Sequence, residues 1–167
     1  MIHLITGGQR SGKTNHALQL ALSMSEAPVY LATSRIWDED HKARIELHKA
    51  ERDDRWENIE EEKYLSKLVL NHKTVILDCV TLWLTNFYTD SNYQIADSLE
   101  EAKKEFDLFI QQEMNLIIIS NEIGMGVHPE TSVGRKFIDL QGWMNQHIAE
   151  KSDTVTLMVS GIPLKVK

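Results

Sequence analysis

Eight residues, GGQRSGKT at positions 7–14, constrain this chain more than any other stretch. They satisfy the spacing G-x-x-x-x-G-K-[ST], follow the apolar run HLIT and open a segment of helical pattern. In that context the spacing makes a phosphate-binding loop, or P-loop. Gly7 and Gly12 let the backbone turn until successive N–H groups converge on phosphate oxygens, and the following helix adds the positive end of its dipole. Lys13 is placed to reach the β- and γ-phosphates of a nucleotide, and Thr14 to offer its hydroxyl to Mg²⁺. A strand before the loop and a helix after it are therefore required.

The rest of the chain repeats that alternation. Apolar runs at 3–6, 29–33, 74–78, 116–120 and 154–160 read as strands, and amphipathic patterns at 13–24, 39–52, 62–71, 95–113 and 131–150 read as helices. Several strand runs are continuously apolar, which predicts an α/β fold with a mostly parallel sheet covered on both faces. The three prolines, at 28, 129 and 163, fall at element edges. With 167 residues and neither repeat nor linker, one domain spanning 1–167 is expected. The polar and aromatic stretch TNFYTDSNYQIADS, 85–98, reads as the longest loop, a flap.

Charge narrows the function. A formal net charge of −7 argues against binding nucleic acid or an anionic membrane through the whole surface, so any basic function is local. One cysteine, Cys79, excludes an intramolecular disulfide and points to a reducing compartment. No apolar run is long enough to span a bilayer, and MIHLIT is short for a signal peptide, so a cytoplasmic location is expected.

Asp78 ends the apolar run TVILD, as an acid on the Mg²⁺ side of a nucleotide site would; an acid added for solubility reads equally well. Asn121 and Glu122 follow the buried run LIIIS and are expected at the crevice that holds the phosphate loop, or in a capped turn. The stretch ARIELHKAER, 43–52, puts Arg44, His48 and Arg52 on one helical face, with Lys49 beside them. A histidine on a charged helix is ordinarily a solvated side chain. Here the cations suit polyphosphate and favour neutral imidazole, the form that attacks phosphorus. Zinc is the weaker alternative, since His41 and His48 are seven apart with no second cysteine to complete a site.

Taken in order, TGGQRSGKT, YLATS, ARIELHKAER, VILDCVTLWLTN, SNEIGMGVHPE and VSGIPLKVK resemble the successive blocks of the bifunctional adenosylcobinamide kinase/adenosylcobinamide-phosphate guanylyltransferase family of cobalamin assembly. The resemblance covers essentially the whole chain. It implies a P-loop NTPase of RecA-like type, assembled as a homotrimer, that phosphorylates adenosylcobinamide with ATP or GTP. It then implies transfer of GMP from GTP to the product through a covalent GMP–histidine, on His48, giving adenosylcobinamide-GDP and pyrophosphate. Family nucleotide contacts fall on Gly7, Gly8, Gln9, Arg10, Ser11, Gly12, Lys13, Thr14, Ala32, Thr33, Ser34, Lys49, Ala50, Glu51, Arg52, Glu60 and Asp78. Catalysis is expected of His48 and Lys13, and Mg²⁺ of Thr14 and Asp78. The chain departs from the family pattern at Trp143, where arginine is usual, at Asp78, where glutamate often stands, and at His128. Without the resemblance, a monofunctional P-loop small-molecule kinase or a nucleotide-binding regulatory module would fit the same loop.

Overall fold

A computed structural model describes residues 1–35 and 52–167. The chain runs β1 (Ile2–Gly7), α1 (Lys13–Met24), β2 (Val29–Ala32), β3 (Glu57–Glu60), β4 (Thr74–Asp78), α2 (Val80–Asp90), α3 (Ile95–Phe109), β5 (Asn115–Ile119), α4 (Ser132–Lys151), β6 (Thr154–Val159) and β7 (Ile162–Lys165). Short 3₁₀ turns lie at Leu65–Lys67 and Ile123–Met125. All seven strands join one sheet in the order β3-β2-β4-β5-β1-β6-β7, parallel except for the terminal β6–β7 hairpin. Because β1, β4 and β5 run the same way, their carboxyl ends meet at one edge, which is where α/β sheets hold ligands.

The continuously apolar strands serve two faces at once, because successive side chains alternate across a sheet. Leu4, Val75, Leu77, Leu116 and Ile118 point toward a core built with Trp83 and Phe87 of α2, Phe106 and Phe109 of α3, and Leu140, Met144 and Ile148 of α4. Ile5, Ile76, Ile117 and Ile119 point the other way, against Ala17 and Ala21 of α1. These alanines are four apart, so α1 lies close on the sheet and brings its first turn to the end of β1.

Four sequence expectations are corrected. Residues 85–98 are no flap: 80–90 form α2, a turn with left-handed Asn92 and Tyr93 follows, and α3 begins at Ile95. The helix is carried by burial of Val80, Trp83, Leu84, Phe87 and Tyr88 rather than by its threonines and aromatics, which are weak helix formers. Residues 62–71 form only the 3₁₀ turn. Their backbone amides are taken by side chains instead of an i−4 ladder: Glu61 accepts from Lys63 and Tyr64, Glu105 from Ser66, and Gln112 from Leu70. The strands β3 and β7, which the apolar pattern did not predict, occupy the two sheet edges. The helix expected at 95–113 stops at Phe109, and Gln112 beyond it is used to fasten Leu68 and Leu70. The helix expected at 39–52 lies outside the described residues except for Arg52.

Two consequences can be measured. Phe106 is fully buried in the larger core, so Phe106→Ala is expected to cost about 3–5 kcal/mol. Urea unfolding should show this as a lowered midpoint with an unchanged m-value. Cys79 is buried, and burial pushes its thiol up to about 12. A disulfide reagent at pH 8 should leave the native protein unlabelled and label it after unfolding. Since the folded thiol ionises above the ordinary value near 9, its contribution to stability is full below pH 9 and is lost as pH rises from there toward 12.

Candidate active site

The turn from β1 to α1 is as tight as the loop motif requires. A Cβ on Gly7 would meet the backbone oxygen of Met158 at 2.6 Å and Ser11 Oγ at 2.8 Å. Gly12 has φ 93°, a left-handed value that glycine adopts freely, and a Cβ there would come to 3.2 Å from the Cα of Gly161. Gly161 lies in the β6–β7 turn, and its N–H donates to the Ser11 carbonyl at 2.9 Å. The edge hairpin thus buttresses the loop from outside.

Two features of the loop call for an anion. The Ser11 hydroxyl is buried, and among the described residues it has no hydrogen-bond partner. The first turn of α1 carries no acidic residue to offset the helix dipole, so its free N–H groups keep their positive potential. Lys13 is 7% exposed, and its Nζ donates to the Gly8 carbonyl at 2.6 Å, folded back over the loop. Burial lowers its pKa, while the negative side of Asp78 works against that shift.

Beside the loop opens a cavity of about 590 Å³. Gly8, Gln9, Lys13 and Thr14 line it from β1–α1; Tyr30, Ala32 and Ser34 from the end of β2; Asp78, Thr81 and Leu82 from β4–α2; Asn121, Glu122 and Met125 from the turn after β5; and Arg52 from the segment before β3. Tyr30 donates its hydroxyl to Asp78 Oδ2. Burial first, and Asp78 second, raise the Tyr30 pKa far above the ordinary phenol value, so it stays a donor. The Arg52 guanidinium stacks 3.7 Å from the centre of the Tyr30 ring and donates from Nε to Asn58 at 2.8 Å. Asn121 Nδ2 donates to Thr81 Oγ1 at 2.9 Å.

Of the residues singled out from sequence, Gly8, Gln9, Lys13, Thr14, Ala32, Ser34, Arg52 and Asp78 converge on this cavity. Asn121 and Glu122 do as well. Gly7, Ser11 and Gly12 shape the loop from behind, and Arg10 points to solvent in a left-handed conformation of φ 55°. Thr33 is fully buried and spends its hydroxyl on the Cys79 carbonyl at 2.9 Å. Glu60 sits exposed at the end of β3, beside Ala32. His41, Arg44, His48, Lys49, Ala50 and Glu51 lie outside the described residues. Tyr30, Thr81, Leu82 and Met125 are cavity residues that sequence reasoning missed. Tyr30 carried a signal, since a tyrosine inside a buried strand needs a partner for its hydroxyl.

The donors fit a hard cation. The Thr14 hydroxyl and the Asp78 carboxylate reach one cavity, and oxygen donors are what Mg²⁺ selects. Among the described residues no cluster of three or more His, Cys, Asp or Glu could hold a metal by itself. Mg²⁺ in such sites takes one or two protein ligands and completes its shell from phosphate and water. Among the same residues no helix is long and apolar enough to cross a membrane.

A curated protein of Escherichia coli (strain K12), "Bifunctional adenosylcobalamin biosynthesis protein CobU", is 35% identical over all of both chains. The CobP protein of the same description from Pseudomonas aeruginosa is 36% identical over all of this chain and 98% of its own length. Among solved structures, the flagellar accessory protein FlaH of Methanocaldococcus jannaschii aligns with a TM-score of 0.48 and 14% identity, over 99% of this chain and 77% of that one. The family model described as "Cobinamide kinase / cobinamide phosphate guanyltransferase" matches residues 3–166, and the chain belongs to that family.

Proposed function

We propose that this chain carries out both reactions of its family in succession. It phosphorylates the aminopropanol hydroxyl of adenosylcobinamide from ATP or GTP, then joins GMP from GTP to that phosphate and releases pyrophosphate. The observation that carries this reading is the family match over 3–166, which spans both the phosphate loop and the block around His48.

In the first reaction the chain's work is positioning and charge. Loop amides from Gly8 to Thr14, the α1 terminus and Lys13 hold the triphosphate and stabilise charge as the γ-phosphoryl leaves. Burial of Lys13 strengthens its interaction with phosphate, because little water remains to screen it. Thr14 and Asp78 would hold Mg²⁺, which neutralises phosphate charge when bound. Tyr30 keeps Asp78 oriented by its hydroxyl, and Arg52, stacked on Tyr30, presents a second cation to the cavity.

In the second reaction the His48 imidazole bonds to the α-phosphorus of GTP as the bond to pyrophosphate breaks. The terminal phosphate of the acceptor then attacks that phosphorus and frees the imidazole. Two displacements, each inverting, leave phosphorus with net retention, and the kinetics are ping-pong. The same reading has the chain as one cytoplasmic domain assembled in homotrimers. The edge strand β7, with Ile162 and Leu164 exposed, supports a surface covered by another subunit.

Incubation of the whole protein with α-³²P-GTP tests the reading. The wild type should retain a label that survives denaturation and is lost in acid. His48→Ala should retain none, yet still phosphorylate adenosylcobinamide. Unlabelled wild-type protein with intact kinase activity would leave a kinase alone.

A further inference from the structure

Glu122 is held in a way that its place in the cavity lining alone does not require. Its N–H donates to the Gly7 carbonyl at 3.1 Å, so its backbone is tied to the start of the phosphate loop. Its side chain is fastened through one oxygen only. The Thr6 hydroxyl reaches Oε1 at 2.7 Å and Asn145 Nδ2 reaches the same atom at 3.1 Å. Asn145 is fixed in turn, its Oδ1 accepting from Ser120 at 2.6 Å and from Gln141 at 3.0 Å. Among the described residues no donor reaches Oε2 and no cation pairs with the carboxylate.

Glu122 also stands between two spaces. It lines the nucleotide cavity and a second cavity of about 230 Å³, bounded by Ile138, Asp139, Trp143 and Gln146 on α4. The carboxylates that line the nucleotide cavity, among the described residues, are Asp78 and Glu122. Asp78 already accepts from Tyr30.

Phosphoryl transfer to an alcohol needs a proton acceptor. The hydroxyl oxygen bonds to the γ-phosphorus, and the bond from that phosphorus to the bridging oxygen breaks. The electron pair leaves on the nucleoside diphosphate, and the hydroxyl proton has to be taken up. We propose that Glu122 is the catalytic base of the kinase step and receives that proton on Oε2. This rests on the functional reading above and adds a distinction within it. In guanylyl transfer the attacking group is a phosphate oxyanion with no proton to lose, so Glu122 is needed in one reaction and idle in the other.

The test uses Glu122→Gln in the full chain. Glutamine keeps an Oε1 to accept from Thr6 and Asn145 and removes only the base. The two reactions are measured separately: ATP with adenosylcobinamide, and GTP with adenosylcobinamide phosphate supplied ready-made. For phosphorylation, kcat should fall about 100-fold or more, while the KM for ATP should stay within threefold. Guanylyl transfer should stay within threefold of wild type. Phosphorylation that survives within threefold overturns the proposal. So does a parallel loss of both reactions, which would mark Glu122 as structural. A wild-type chain that performs neither reaction strikes instead at the functional reading itself.

Discussion

The site depends on a steric constraint at the end of one strand. Between Gly7 and Gly12 the chain reverses in a space bounded by the Met158 carbonyl and by Gly161; Gly7 has no room for a methyl group, and Gly12 holds a left-handed φ of 93°. The turn is closed from outside by the Gly161–Ser11 hydrogen bond. That bond belongs to the β6–β7 hairpin, the antiparallel exception in a parallel sheet. The sheet edge is therefore more than an edge: it fixes the curvature of the phosphate cradle, and so where Lys13 and the first turn of α1 point.

Around that cradle the polar residues fall into two groups with separate supports. Asp78 leaves β4 and is held by Tyr30, which comes from the neighbouring strand β2 and is itself covered by Arg52. Glu122 leaves the turn after β5 and is held from β1 by Thr6 and from α4 by Asn145. A buried polar side chain is stable only when its partners are supplied. Here the partners come from elements whose own positions are set by the apolar core. Among the described residues the buried Ser11 hydroxyl is an exception, with no hydrogen-bond partner.

The parts of this architecture that were legible in the sequence are those whose local signal and tertiary role coincide. The first helix falls on 13–24 as its pattern predicts, and β4 on 74–78, because continuous apolarity and central burial are the same fact. Edge strands lack that coincidence. Glu57–Glu60 is a strand because β2 offers it a pairing partner, and its exposed glutamates give no apolar run to read. The second helix fails in the opposite way. It is buried on most sides, so it has no polar face to set a period, and its Thr85 and Thr89 hydroxyls bond back to the Thr81 and Thr85 carbonyls. In the site, strand-end acids were legible from the switch in polarity after TVILD and LIIIS. The Tyr30–Asp78 bond was not, since it depends on which strands are neighbours.

Neighbouring registers explain why phosphate binding and acid–base chemistry can share one geometry. Ile5 of β1 pairs with Ile119 of β5, so Thr6 and Gly7, which end β1 against β6, lie beside Ser120 to Glu122 where the chain leaves β5. The Ser120 amide donates to the Ile5 carbonyl at 3.0 Å and the Glu122 amide to the Gly7 carbonyl at 3.1 Å, extending the ladder past the strands. One strand thereby delivers both the cradle and the hydroxyl that orients the carboxylate, and a movement of either carries the other with it. Displacing a reacting group by 1 Å can cost on the order of 100-fold in rate. Shared hydrogen bonding at the ends of rigid strands limits such displacement far better than two independent loops could. Gly7, which has no room for a side chain, thus also accepts from the Glu122 amide and helps to hold that residue in place.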